Sequence, residues 1–243
     1  MEATLALSKE LVVEMVQAGI LHCHKQSKTN PRMRPYIGGN RNEIEILDPE
    51  ETLASLDRAL AFLREKVRGG GLILVVGTTV AARAAIASLA DALKFPAVTG
   101  RWLGGTLTNF NVIKARLGYY EGLMVKRERG ELAKYTKKEQ HEFDEEIKKL
   151  AASFGGLRPL SRLPDVLFVV DGGAHETAVR EAERVRIPVV AIIDSDDDPD
   201  RIQYPIFAND HTKSSVEWIV EKVREALRAE RASAAATAPA PQA

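Results

Sequence analysis

The fold is decided by residues 166–193, whose sequence is VLFVVDGGAHETAVREAERVRIPVVAII. Two uninterrupted apolar runs, 166–170 and 189–193, flank a stretch at 176–184 that has helical periodicity. Apolar residues at every position, instead of at every second one, are typical of strands that are buried on both faces of a sheet. The order strand, helix, strand therefore predicts two parallel strands joined by a right-handed crossover.

The same alternation extends through most of the chain. Further strands are predicted at 72–76 and 97–99, and further helices at 79–93 and 213–229. Another helix precedes the first of these strands, because Asp48 can act as its N-cap and Pro49 suits its first helical position. The pattern as a whole predicts an α/β fold in which helices cover a parallel sheet.

Two segments interrupt this alternation. Residues 36–46 predict a small β-hairpin with its turn at Gly38-Gly39-Asn40. Residues 105–155 hold two amphipathic helical patterns, and the second begins with a capping box at Thr136 and Glu139, so they predict an inserted antiparallel helical hairpin. The predicted organisation is an α/β domain at 1–104 and 156–230 that includes the N-terminal basic loop and the β-hairpin, an inserted coiled-coil hairpin at 105–155, and a disordered tail at 231–243.

The charges of the chain are balanced in number but separated along the sequence. There are 34 basic and 34 acidic residues, which argues against a protein that coats itself in nucleic acid. Residues 22–42, here called the basic segment, contain no acidic residue, and 101–138 hold nine basic residues against three acidic ones. This separation predicts one face that binds RNA. Solvated surface charge is the alternative explanation.

The eight basic residues that we expect to contact RNA come from these two regions. They are Lys25, Lys28, Arg32, Arg34 and Arg41 of the basic segment, and Arg101, Lys114 and Arg116. In the stretch 101–110, two glycines permit a sharp turn, and Trp102 and Phe110 can wedge the sheet domain against the helical hairpin. For Trp102 we expect packing in the core and not stacking on a base.

The sequence gives little support to an enzyme or a membrane protein. The turn after the first predicted strand, Gly77-Thr78-Thr79-Val80-Ala81-Ala82, matches neither GxGxxG nor a P-loop, and no serine lies in a GxSxG elbow. We expect no small-molecule substrate, and a Rossmann-type nucleotide enzyme remains the competing hypothesis. The start of the chain lacks a signal-peptide pattern, no window is apolar enough to span a membrane, and a lone Cys23 fits a reducing compartment. We therefore expect a cytosolic protein.

A metal site is the remaining chemistry that the pattern allows. Asp194 directly follows a predicted strand, Asp210-His211 come soon after, and His24 can approach if the basic segment folds over the same sheet edge. Imidazole and carboxylate ligands suit zinc. The alternative is that these carboxylates accept hydrogen bonds from loop amides, with no cofactor required.

Six segments carry a family resemblance: 18–24, 30–37, 101–110, 163–171, 187–194 and 198–200. With them the sequence resembles the bacterial small-subunit ribosomal protein S2 family over nearly its whole length. The resemblance implies a Rossmann-like or flavodoxin-like domain with an inserted coiled-coil hairpin. It also implies binding to small-subunit ribosomal RNA, contact with other small-subunit proteins including ribosomal protein S1, and a zinc site that maps onto His24, Asp194, Asp210 and His211.

Two departures from the family pattern affect individual contacts. Thr79 stands where members commonly carry lysine, and Asp210-His211 replaces a pair of acidic residues. We expect a structural ribosomal protein that docks through the basic segment. A third hypothesis is an adaptor whose helical hairpin binds a protein; it predicts that deleting 109–154 abolishes association whereas neutralising the basic segment does not.

Overall fold

The structure is a computed structural model and describes residues 8–237. Its strands are β1 (His22–Lys25), β2 (Ile37–Arg41), β3 (Ile44–Leu47), β4 (Ile73–Val76), β5 (Ala97–Val98), β6 (Val166–Val170), β7 (Val189–Ile193) and β8 (Tyr204–Phe207). Its helices are α1 (Lys9–Ala18), α2 (Pro49–Arg68), α3 (Val80–Leu93), α4 (Phe110–Glu128), α5 (Lys137–Phe154), α6 (Glu176–Arg184) and α7 (Lys213–Thr237). Among these described residues, no helix is both long and apolar enough to cross a bilayer.

The core is a five-stranded sheet in the order β5-β4-β6-β7-β8, and all its strands are parallel. Every residue of β6 and β7 is buried, as their unbroken apolar runs predict. Helices flank the sheet: α2, α3 and α7 pack side by side, and α6 lies against β7. The predicted α/β fold is confirmed, and it places the ends of β6, β7 and β8 at one edge.

A second, antiparallel sheet has the order β1-β3-β2. The predicted β-hairpin is confirmed as β2 and β3, but the position of its turn was wrong. The chain reverses at Asn42 and Glu43, whose φ angles are 53° and 64°, while Gly38-Gly39-Asn40 lie within β2. Positive φ at both central residues is what a two-residue hairpin turn needs, and asparagine tolerates it. Gly38 instead allows close packing against the start of α2, since a Cβ there would lie only 3.2 Å from the Cα of Asp48.

Helices α4 and α5 lie between β5 and β6 in the chain and pack against each other. Tyr119 donates to the carboxylate of Glu146 at 3.2 Å, and Arg127 lies 3.7 Å from Asp144, so the two helices run in opposite directions. The capping box at Thr136 and Glu139 is present. Buried residues along the pair are Ile113, Leu117, Tyr120 and Leu123 of α4 and Ile147 and Phe154 of α5.

The last helix is longer than the sequence pattern predicts. It runs to Thr237, so residues 231–237 of the tail that we expected to be disordered are helical. Alanine, frequent there, has the highest helix propensity. Arg231 also donates a hydrogen bond to the carbonyl of Leu93, and its guanidinium lies 4.6 Å from the ring centre of Phe95. The rest of the predicted tail, residues 238–243, lies outside the described residues.

Candidate functional site

Acidic side chains follow three neighbouring strands of the parallel sheet. Asp171 comes directly after β6, Asp194 directly after β7, and Asp210 three residues after β8. Because parallel strands end at a common edge, their carboxylates lie together there. They are almost fully buried, with Asp194 and Asp210 each only 1% exposed and Asp171 8% exposed.

The basic segment folds over this edge, which is the condition on which the expected approach of His24 depends. The amide of His24 donates to Ser195 Oγ at 3.3 Å, and the amide of Asn30 donates to the carbonyl of Ser195 at 2.8 Å. These contacts bring His24 Nδ1 to 3.4 Å from Asp194 Oδ2 and 3.5 Å from Asp196 Oδ1. An imidazole and two carboxylates therefore face one another.

A second trio lies next to the first. Asp171, Asp210 and His211 each offer a ligand atom within 4.8 Å of the others, as do His24, Asp194 and Asp196. The rings of His24 and His211 meet edge to face, with their centres 4.5 Å apart. The structure thus brings all four sequence-predicted metal residues into one cluster, which we call the carboxyl-edge cluster. Sequence reasoning missed Asp171 and Asp196, although Asp171 follows its strand just as Asp194 does.

The carboxyl-edge cluster crowds several acidic groups into a buried place. Burial raises the pKa of nearby Asp197 to about 8, and the charges of Asp210 and Asp171 add to this effect. Hydrogen bonding to Asp210 raises the pKa of His211 to about 9, so without a metal its imidazolium offsets part of the acidic charge, and a metal bound by His211 would displace that proton. Within residues 8–237, His24 Nδ1 is buried and has no hydrogen-bond partner. A divalent cation at this place would offset the mutual repulsion of the carboxylates.

The carboxylates of this cluster also accept hydrogen bonds from loop amides, and a cysteine lies beside them. Asp194 accepts a hydrogen bond from the amide of Ser195, and Asp171 accepts one from Ala174 at 2.7 Å, so loop capping also occupies these carboxylates. Burial and the charge of Asp194 raise the pKa of the Cys23 thiol. Without a metal the thiol therefore stays protonated at neutral pH, and a protonated thiol is not a nucleophile.

The five cations of the basic segment fall into two groups. Lys28, Arg34 and Arg41 are exposed and make no ion pair with any described residue, and Lys25 has only a loose contact of 3.7 Å with Glu43. Arg32 differs: its guanidinium donates to both oxygens of Asp198, at 2.9 and 2.7 Å, and its Nε lies 3.2 Å from Asp200.

The other three predicted cations lie on or near α4. Arg101, Lys114 and Arg116 are exposed, and within residues 8–237 none of them forms an ion pair. The loop before α4 is held by Glu181 of α6, to which the indole N–H of Trp102 donates at 3.0 Å. Trp102 packs against the core, as predicted. Sequence reasoning missed Glu181, since the helical pattern gives no sign that this one of several acidic residues points inward.

The place where a nucleotide would bind in a doubly wound sheet is filled by the protein itself. In this strand order that crevice opens between the ends of β4 and β6. His175, 3% exposed, occupies it: Nε2 accepts from the amide of Thr78 at 3.2 Å, and Nδ1 lies 2.8 Å from the carbonyl of Asp171. An adjacent cleft of about 360 Å³ is lined by Asp196, Asp197, Asp198 and Glu176 with Arg201. Its acidic walls repel phosphate.

Comparison with known proteins identifies close relatives. A family model described as ribosomal protein S2 matches residues 15–229. The small ribosomal subunit protein uS2 of Rhodopirellula baltica is 44% identical over 221 residues, covering 91% of this chain and 85% of that protein. Proteins of the same name from Coprothermobacter proteolyticus and Roseiflexus castenholzii are 38% and 42% identical, over 88% and 87% of this chain and 80% and 81% of their own lengths. The matched region spans the basic segment, both sheets, α4, α5 and the carboxyl-edge cluster.

Proposed function

The chain belongs to the ribosomal protein S2 family, and from that premise we propose that it binds small-subunit ribosomal RNA through the exposed cations of the basic segment. It is a structural constituent of the small ribosomal subunit, functions in translation on cytoplasmic ribosomes and is not an enzyme. We also propose that it contacts other proteins of the subunit, ribosomal protein S1 among them, on the strength of the family resemblance.

The RNA proposal rests on the exposure of Lys28, Arg34 and Arg41 and on their lack of ion-pair partners among the described residues. Cations that are exposed and have no carboxylate partner in the described chain keep their full charge for phosphate. The segment that carries them is tied to the sheet by the hydrogen bonds of His24 and Asn30 to Ser195. The cations are therefore presented from an anchored surface, so that less conformational entropy is lost when RNA binds.

Arg32 has a different role in this proposal. Its Nη1 donates to both oxygens of Asp198, which joins the basic segment to the loop after β7, and both partners are already satisfied. A phosphate would have to compete with two carboxylates for this guanidinium. We assign Arg32 to holding the basic segment in place, and Arg34 to contacting RNA.

Arg34→Ala should reduce the salt dependence of RNA binding by about 0.7–0.9 in the slope of log K against log salt, the value for one phosphate contact. Arg32→Ala should leave this slope unchanged. Both are measured by filter binding or fluorescence anisotropy with small-subunit RNA over a series of salt concentrations. Arg58→Ala is the matched control, because Arg58 is an exposed arginine on α2, outside both basic regions. A slope that falls equally for Arg32→Ala and Arg34→Ala contradicts the assignment.

We propose that α4 and α5 form an inserted coiled-coil hairpin that adds Arg101, Lys114 and Arg116 to the RNA contacts. The support is their antiparallel packing and the exposure of these three cations. Deleting 109–154 separates this proposal from the adaptor hypothesis. Association with small subunits that is reduced but not abolished supports the proposal, whereas complete loss of association with the basic segment intact supports the adaptor.

We propose zinc as the occupant of the carboxyl-edge cluster. The donor set of imidazole nitrogen and carboxylate oxygen fits zinc, and His24 Nδ1 is a buried atom that lacks a partner. His24, Asp194, Asp210 and His211 would hold it, with Asp171 and Asp196 as further donors. Bound there, zinc would supply a structural cross-link between the basic segment and the ends of β7 and β8. Zinc-dependent thermal stability of the wild type and of His24→Ala tests this proposal.

A further inference from the structure

The loop that connects β5 to α4 closes around the carboxylate of Glu181. Oε1 accepts hydrogen bonds from the indole of Trp102 at 3.0 Å and from the amide of Gly105 at 2.8 Å. Oε2 accepts from the amides of Leu107 and Thr108, at 3.0 and 3.2 Å, and from the Thr108 hydroxyl at 3.1 Å. Glu181 is 6% exposed. Five donors from a single loop therefore converge on one buried carboxylate of α6.

This carboxylate is satisfied without a cation. Each of the donors that contact it is neutral, and no described lysine or arginine pairs with it. Burial alone would raise the pKa of Glu181, but the hydrogen bonds from Trp102 and the loop amides hold it below the usual range. The side chain is thus ionised at neutral pH, and charge-assisted hydrogen bonds are the stronger kind.

The amides that bind Glu181 lie just before the first turn of α4. Gly105, Leu107 and Thr108 immediately precede α4, which begins at Phe110 and has no side-chain cap at Asn109. With φ at +89°, Gly105 makes a turn that favours glycine. The direction in which α4 leaves the sheet domain therefore depends on how this loop is held, and the residue that holds it belongs to α6.

We propose that Glu181 is a positioning residue: by holding the loop it places Arg101, next to Trp102, and by setting the direction of α4 it presents Lys114 and Arg116 to ribosomal RNA. This inference rests on the proposed function, because it assumes that these three cations contact RNA. It adds a buried acidic residue, whose charge cannot itself attract phosphate, to the requirements for RNA binding.

Glu181→Gln in the full-length protein is the direct test. Glutamine has the same shape, but its NH₂ group would face two or three donors that now share a carboxylate oxygen. We expect amide exchange at Gly105, Leu107 and Thr108 to become at least about tenfold faster, while β6 and β7 keep their protection. We expect affinity for small-subunit RNA to fall about tenfold. Trp102→Phe, which removes one donor and keeps the aromatic packing, should give a smaller change in the same direction.

Glu183→Gln is the matched control, because Glu183 is exposed on the same helix and its substitution removes the same charge. Removing a negative charge by itself favours RNA binding, so a weaker Glu181→Gln complex beside an unchanged or tighter Glu183→Gln complex supports positioning. Unchanged exchange at the three loop amides would overturn the inference even if RNA affinity falls.

Replacing Arg101, Lys114 and Arg116 together by alanine distinguishes the positioning role of Glu181 from the RNA contacts of these three cations. If Glu181 acts through these cations, Glu181→Gln should weaken RNA binding no further in the triple-variant background. An equal loss in both backgrounds would refute the positioning role. A triple variant that binds RNA as tightly as the wild type would instead refute the RNA contacts of the helical hairpin, which belong to the proposed function.

Discussion

Replacing Lys28, Arg34 and Arg41 together by alanine should weaken binding to small-subunit ribosomal RNA about 50- to 170-fold at about 0.15 M salt. The expectation comes from counterion release, in which each neutralised phosphate contributes about 0.7–0.9 to the slope of log K against log salt. Three contacts then account for a slope of about 2.1–2.7. The fold should be unaffected, because all three side chains are exposed and unpaired in the described structure.

The measurement is an affinity titration of RNA at four or more salt concentrations, together with sedimentation of the protein with small subunits. Its control replaces Arg58, Arg184 and Arg228, three exposed arginines outside both basic regions. The control makes the same change in net charge, so it removes the same long-range attraction. If both triple variants lose affinity equally, the basic segment does not contact phosphate, and a general field accounts for binding.

The parallel sheet could be predicted from the sequence because its central strands are buried on both faces. The runs at β4, β6 and β7 are apolar at every position, and the predicted bounds agree with the structure to within one residue. Strand β8 was missed because Tyr204 and Pro205 are only half-buried and proline is confined to edge strands, so its pattern is weak. The hairpin turn was misplaced because Gly38-Gly39-Asn40 has the more typical turn composition, whereas the chain reverses at Asn42 and Glu43.

The candidate site, too, could be predicted from the sequence only in part. The position of Asp194 follows from the rule that parallel strands end at one edge, whereas Asp210 and His211 are brought there by β8, the strand that the sequence pattern did not reveal. The pairing of Arg32 with Asp198 does not, since the two residues are 166 positions apart and either could have remained in solvent. Glu181 is likewise identified only by the loop that closes on it. Long-range pairs of this kind depend on tertiary geometry, which local sequence patterns do not record.

Zinc at about 100 times its dissociation constant should raise the free energy of unfolding of the chelator-treated protein by about 2.7 kcal/mol, because it binds only the folded state. For a chain of this size that corresponds to an increase in Tm of about 5–11 °C. His24→Ala should remove most of this increase while changing the metal-free Tm little. The imidazole of His24 contributes a ligand atom that has no hydrogen-bond partner to lose.

His22→Ala is the control for this experiment, because His22 lies two residues earlier on the same strand and is exposed, outside both trios. It should keep the full zinc-dependent increase in Tm, which excludes weak binding of zinc to any surface histidine. Elemental analysis of protein purified without chelator should give about one zinc per chain for wild type and His22→Ala, and a much lower content for His24→Ala. A wild-type protein that neither carries zinc nor gains stability from it would show that the carboxylates serve only to cap loop amides. The link between the basic segment and the sheet would then depend on hydrogen bonds and on the ion pair of Arg32 with Asp198, and Arg32→Ala would have a larger effect on RNA binding than zinc removal.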